Sequence, residues 1–140
     1  MGAAEVTMPH ERARALRWGG EFLQEACNDP SVDISLRAEA IELQRIYPLP
    51  AVVLDWIDSD APCIPAAAAV AIEGTATLLA LIVRSSACSS ELRRSAKFAL
   101  RHFPEPGTAE RWTVAVRHWS IREWLLREDT YKLSVNNVDR

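Results

Sequence analysis

Apolar residues recur at helical spacing from residue 9 onward, and prolines and short polar turns divide them into segments. Stepping 100° per residue over 9 to 28 gathers Ala15, Leu16, Trp18, Phe22, Leu23 and Ala26 on one half of the wheel. Arg14, Arg17, Glu21, Gln24 and Glu25 fill the other half, so the spacing predicts an amphipathic helix. Pro9 suits its first turn, and Asn28-Asp29-Pro30 ends it. A second helix is expected over about 35 to 47, with Leu36, Ala40, Leu43 and Tyr47 on one face, Ser35 as its cap and Pro48 as its stop. Pro50 then opens a short third element carrying Val53, Leu54, Trp56 and Ile57.

After a linker over 58 to 65 the plan returns. Ala66 to Arg84 is nearly continuously apolar, and Ser85 to Ser90 reads as a turn. The stretch 90 to 103 places Leu92, Ala96, Ala99 and Phe103 inward. Pro104-Glu105-Pro106-Gly107 breaks the chain, and Thr108 is positioned to cap a final helix of about 109 to 128. Trp112 to Val116 alternates in a way that also fits a short strand, but the continuing charges of 117 to 128 favour helix. Residues 129 to 140 are polar and expected to fray.

The two halves are related in sequence. A shift of 56 positions carries Leu36 to Leu92, Arg37 to Arg93, Ala40 to Ala96, Arg45 to Arg101, Pro48 to Pro104, Pro50 to Pro106 and Trp56 to Trp112. That is seven identities in 21 aligned positions, where ordinary residue frequencies give about one or two. Tyr47 also meets Phe103, and Phe22-Leu23 meets Leu78-Leu79. The expected architecture is all-α, with two duplicated helix-turn-helix-Pro-helix units packed about a pseudo-twofold axis in one helical bundle. One domain is expected over 1-140, with copy one at about 9-58 and copy two at about 66-128.

Composition narrows the function classes. The 140 residues are 49% apolar and 25% charged, the profile of a soluble globular chain. A net charge of −3 argues against strong global attraction to nucleic acid, while leaving room for a local basic patch. The early residues Glu5, Glu11, Arg12, Arg14 and Arg17 leave no apolar signal-peptide core. Glu73 and Gly74 interrupt the apolar run of 66 to 84, which therefore reads as a core helix rather than a membrane span. Cys27, Cys63 and Cys88 lack zinc-site spacing and read as free thiols in a reducing compartment.

Catalytic chemistry is sparse. His10, His102 and His118 are scattered, Asp55, Asp58 and Asp60 fall in or beside the linker, and no phosphate loop or nucleophile elbow occurs. No catalytic residue, metal site or cofactor is expected. Two features remain. Arg93, Lys97 and Arg101 recur every four residues beside Arg94, with Arg37 and Arg45 as counterparts in the first copy, a stripe suited to phosphates or an acidic protein. Trp112, Trp119 and Trp124, with Arg117, crowd the last segment, and tryptophan and arginine are enriched where proteins bind one another.

Two stretches also resemble a family of small uncharacterised proteobacterial proteins. Met8-Pro9-His10-Glu11-Arg12-Ala13-Arg14-Ala15-Leu16-Arg17-Trp18 is similar to the family's opening, and Leu92 to Pro104, with Arg93-Arg94-Ser95-Ala96-Lys97-Phe98-Ala99-Leu100-Arg101-His102-Phe103-Pro104, to its ending. Members look like single copies, so the resemblance implies a bacterial cytoplasmic protein built from two. It implies no catalytic residue. The expected function is a non-enzymatic protein–protein interaction module (an adaptor, an immunity-like inhibitor or a homodimer) with no membrane partner. A nucleic-acid-associated regulator using the basic stripe is the alternative.

Overall fold

The computed structural model describes residues 9–127, and among them every regular element is helical. The expected frayed tail lies outside the described residues. Seven α-helices follow in order: α1 Pro9–Asn28, α2 Ile34–Ile46, α3 Pro50–Asp58, α4 Ala66–Arg84, α5 Ser90–Arg101, α6 Thr108–Arg111 and α7 Ile121–Leu126. A 3-10 turn, Arg117–Trp119, precedes α7.

The four long helices carry the core. α1 packs on α2 and α5, while α4 packs on α5 and α2, so each of the first pair touches each of the second. Phe22, Leu23 and Ala26 of α1 meet Leu78, Leu79 and Ile82 of α4, with Ala40, Leu43, Leu92, Ala96 and Ala99 from the flanking helices, in one apolar cluster. Small residues let the backbones approach. A Cβ at Gly74 would lie 2.6 Å from a Leu43 methyl, where α2 crosses α4. A Cβ at Gly19 would lie 2.6 Å from both the Phe103 ring and the Tyr47 hydroxyl oxygen. The Gly19-Gly20 pair therefore accommodates two aromatic side chains against the middle of α1, despite the helix-propensity cost of glycine.

Helix ends follow local chemistry. Asp33, rather than the expected Ser35, caps α2 by accepting from the Ser35 amide (3.1 Å), while the Ser35 hydroxyl turns back to the same carboxylate. Ser89 caps α5 through the Leu92 amide (3.2 Å). α6 begins after Gly107, whose φ of 88° is the left-handed conformation glycine tolerates, so Thr108 is the first helical residue and not the cap. The 58 to 65 linker is tied down at its end: Ile64 is buried and its amide donates to the Trp112 carbonyl (2.9 Å).

The expected final helix of 109 to 128 does not form as one piece. α6 stops at Arg111, the chain turns through 112–116 as neither helix nor strand, and a new helix starts at Ile121. The β-branched run Thr113, Val114 and Val116 is a weak helix former. Ser120 then accepts from the Glu123 amide (3.1 Å), a serine–glutamate start signal that nucleates α7. The break lets Trp112, Ile121 and Leu125 all reach the core, which one straight helix would not allow.

Gly19→Ala is expected to lower stability by about 1–2 kcal/mol, because the steric conflict with Phe103 and Tyr47 exceeds the ~1 kcal/mol gain in helix propensity. Urea unfolding followed by circular dichroism measures the difference; equal or higher stability would show that the aromatic pair shifts freely.

Candidate functional site

Most interior polar groups are committed to holding helices together. Asp29, in the α1–α2 turn, accepts from the Ser31 amide (2.8 Å) and the Ser31 hydroxyl (2.6 Å) through one oxygen. Its other oxygen accepts from the Ser89 hydroxyl (3.0 Å), and the Ser89 amide donates to the Ser31 hydroxyl (2.9 Å). Ser89 also caps α5, so one serine joins the two interhelical turns and starts a helix. The Ser31 hydrogen bonds, together with Ser89 and the nearby Arg37, hold the Asp29 carboxyl below its ordinary range.

Glu73, the carboxylate inside the most apolar helix, has a partner in α6. Its two oxygens accept from the Gly107 amide (2.9 Å) and the Glu110 amide (3.1 Å), binding the start of α6 to α4. Arg12 acts at the opposite polarity. Its buried guanidinium donates through Nη1 to the carbonyls of Trp124 (2.8 Å), Leu125 (2.9 Å) and Arg127, where a cation complements the end of α7. Tyr47 donates its hydroxyl to the Leu16 carbonyl, and burial pushes its phenol pKa up.

The tryptophans expected to meet a partner divide. Trp112 is 1% exposed and packs at a tilt against half-buried Trp124 with ring centres 5.1 Å apart, while Arg12 lies 6.0 Å from the Trp124 ring. Trp112 is therefore core, and Trp124 packs inward rather than on the polar side that a continuous helix would give it. Trp119 and Arg117 remain exposed, Trp119 with Arg111 lying 5.8 Å from its ring.

The basic stripe is also redrawn. Arg37 and Arg93 are half-buried, with Nε atoms that are out of solvent and lack a hydrogen-bond partner, and Arg37 donates through Nη2 to the Val32 carbonyl (3.0 Å). Arg45 is exposed, 3.8 Å from Glu42. Beyond Ser90 and Glu91 in its first turn, α5 presents Arg94, Lys97 and Arg101 to solvent, spaced about the exposed Phe98. The spacing from 94 to 97, 98 and 101 puts all four on one helix face. No hydrogen bond or ion pair holds these three cations among the described residues. Phe98 meets Trp18 edge-on at 6.5 Å, and Arg14 lies 5.7 Å from the Trp18 ring. The inward set Leu92, Ala96, Ala99 and Phe103 skips Phe98, so periodicity alone passes over it; an aromatic four residues after Arg94 is the signal that marks it.

Histidines and cysteines take separate places. His102 meets Glu11 at 3.0 Å, His118 lies edge-on to Trp119, and Cys88 is buried. No group of histidine, cysteine and carboxylate that could hold a metal occurs among the described residues. α4 has the length and mean hydropathy (2.0) that a membrane span needs, and half of it is buried against other helices.

A groove of about 540 Å³ runs along α1 opposite the α2–α3 corner. Arg14, Arg17 and Glu21 edge it, and Tyr47, Leu49, Val53 and Leu54 supply its apolar wall.

Comparison of the chain with protein-family models, with curated proteins and with solved structures finds no match.

A carboxylate held below its ordinary range in the fold contributes stability above its unfolded pKa and loses it as pH falls through the folded value. Asp29→Asn is therefore expected to be less stable than the parent at pH 7, with the gap closing below about pH 4. Urea midpoints at pH 7 and pH 3 measure this; a gap that persists at low pH would assign the loss to packing instead.

Proposed function

We propose that the chain is a non-enzymatic protein–protein interaction module of a bacterial cytoplasm, built from two fused copies of a helical hairpin. Several features support the duplication. α1 ends at Asn28 and α4 at Arg84, α2 begins at Ile34 and α5 at Ser90, and the caps Asp33 and Ser89 keep the same separation. Packing of α1 on α5 has its counterpart in α4 on α2, as two copies about an approximate dyad require. The turns that meet through Asp29, Ser31 and Ser89 are themselves counterparts, and Arg37 and Arg93 share a buried, unpartnered Nε. This reading also accommodates the likeness to single-copy proteobacterial proteins.

One observation carries the binding role: Phe98 stands exposed among Arg94, Lys97 and Arg101, none of them ion-paired within the described residues. A solvent-facing aromatic ringed by free cations fits an acidic protein surface with an apolar centre, where desolvation of the ring adds to charge attraction. Trp119 and Arg117 extend the exposed aromatic and basic surface elsewhere on the chain.

Affinity capture from a native bacterial lysate, read by mass spectrometry, tests this reading. Phe98→Ala and the combined Arg94→Glu, Lys97→Glu, Arg101→Glu variant should each lose the captured protein by at least tenfold while keeping the parent's circular dichroism. Equal capture by both variants would remove the α5 face from the function. The same cations beside an aromatic also suit a single-stranded nucleic acid. That second reading predicts a salt-sensitive gel shift, abolished by the charge-reversal variant, and no retardation at low salt would end it.

A further inference from the structure

We infer that the groove along α1 receives a helical segment of a partner protein that carries a carboxylate among apolar residues. The inference rests on the two-copy reading above, because the second unit displays the equivalent groove with an occupant. There, α6 lies against α4, Ala109 is buried, and Glu73 reaches across to the Gly107 and Glu110 amides. Subtracting 56 puts Arg17 in place of Glu73 and α3 in place of α6. In the first unit, however, α3 packs against α7, and α7 also touches α1. Among the described residues the position that α6 fills on α4 is thus left open on α1, and the 540 Å³ groove is that opening.

The exchange of Glu73 for Arg17 fixes the chemistry of the missing occupant. A carboxylate on α4 is matched by backbone N–H donors; the exposed guanidinium that replaces it on α1 finds its strongest match in a carboxylate. Arg14 lies one turn earlier on the same side, and Glu21 is the one carboxylate among the described residues that line the groove. Glu21 stands 3.8 Å from Arg17, and both are exposed, so their pairing is weak and exchangeable. The opposite wall offers Leu49, 69% exposed, and Leu54, 53% exposed, to apolar side chains. The lining runs along α1 from His10 to Gln24, about 21 Å at 1.5 Å per residue. That length suits three to four turns of helix laid in a groove better than a compact metabolite.

Panning a phage library of random 12-residue peptides against the full chain tests the inference, with the Arg14→Glu, Arg17→Glu double variant and Leu54→Asp as controls. All three positions are exposed, so circular dichroism and melting of the controls should match the parent. The expected result is enrichment of peptides with Asp or Glu three or four positions from Leu, Ile or Phe. Their binding should fall at least tenfold on both controls and should shift the amide resonances of Gly20 and Val53 in the parent. No enrichment, equal binding to the controls, or displacement of the peptides by a single-stranded oligonucleotide would each overturn it. Peptides that lose binding to Phe98→Ala but not to the controls would also overturn it, while leaving the α5 reading intact. Loss on the controls with no effect of Phe98→Ala would support the groove.

Discussion

Two polar turns, pressed together between four helices, set the relative position of everything else. Helix–helix packing through alanine, leucine and phenylalanine is non-directional and tolerates sliding. The Asp29–Ser31–Ser89 hydrogen bonds do not: they need both turns at fixed separation and orientation. The small residues Ala40 and Ala96 are fully buried, Gly74 leaves room for the Leu43 side chain, and Gly19 for those of Tyr47 and Phe103.

The remaining polar contacts work outward from that arrangement. Glu73 fastens α6 to α4, and Arg12 fastens α7 to α1, each by completing backbone groups that a short helix leaves unsatisfied. Helices of four and six residues would not persist alone. Their presence depends on a charge delivered from a long helix. This explains a carboxylate within the most apolar segment of the chain and a buried guanidinium in the first turns of α1.

The long helices were legible in the sequence because their apolar periodicity and proline punctuation are local. α1 and α4 begin and end where the pattern predicts, and α2 and α5 differ by a residue or two. The region after Arg111 was not legible by periodicity, since Trp112, Ile121 and Leu125 reach the core from a broken path rather than one wheel. Ser120 with Glu123 was the local signal for the break. The candidate surfaces were only partly legible. Residue type located the α5 cations, but burial removed Arg37 and Arg93 from the stripe and added Phe98. The groove depends on how the α2–α3 corner stands off from α1, which no local pattern encodes.

Arg12 and Arg127 stand at opposite ends of the described chain yet share a hydrogen bond. During synthesis, the guanidinium near the start must wait for carbonyls made more than a hundred residues later. Final closure of the fold is therefore deferred until α7 has left the ribosome. The same nearness means that the two ends could be joined by a short tether and new ends opened elsewhere, at an exposed position of the 58 to 65 connection, with the helical interior kept intact.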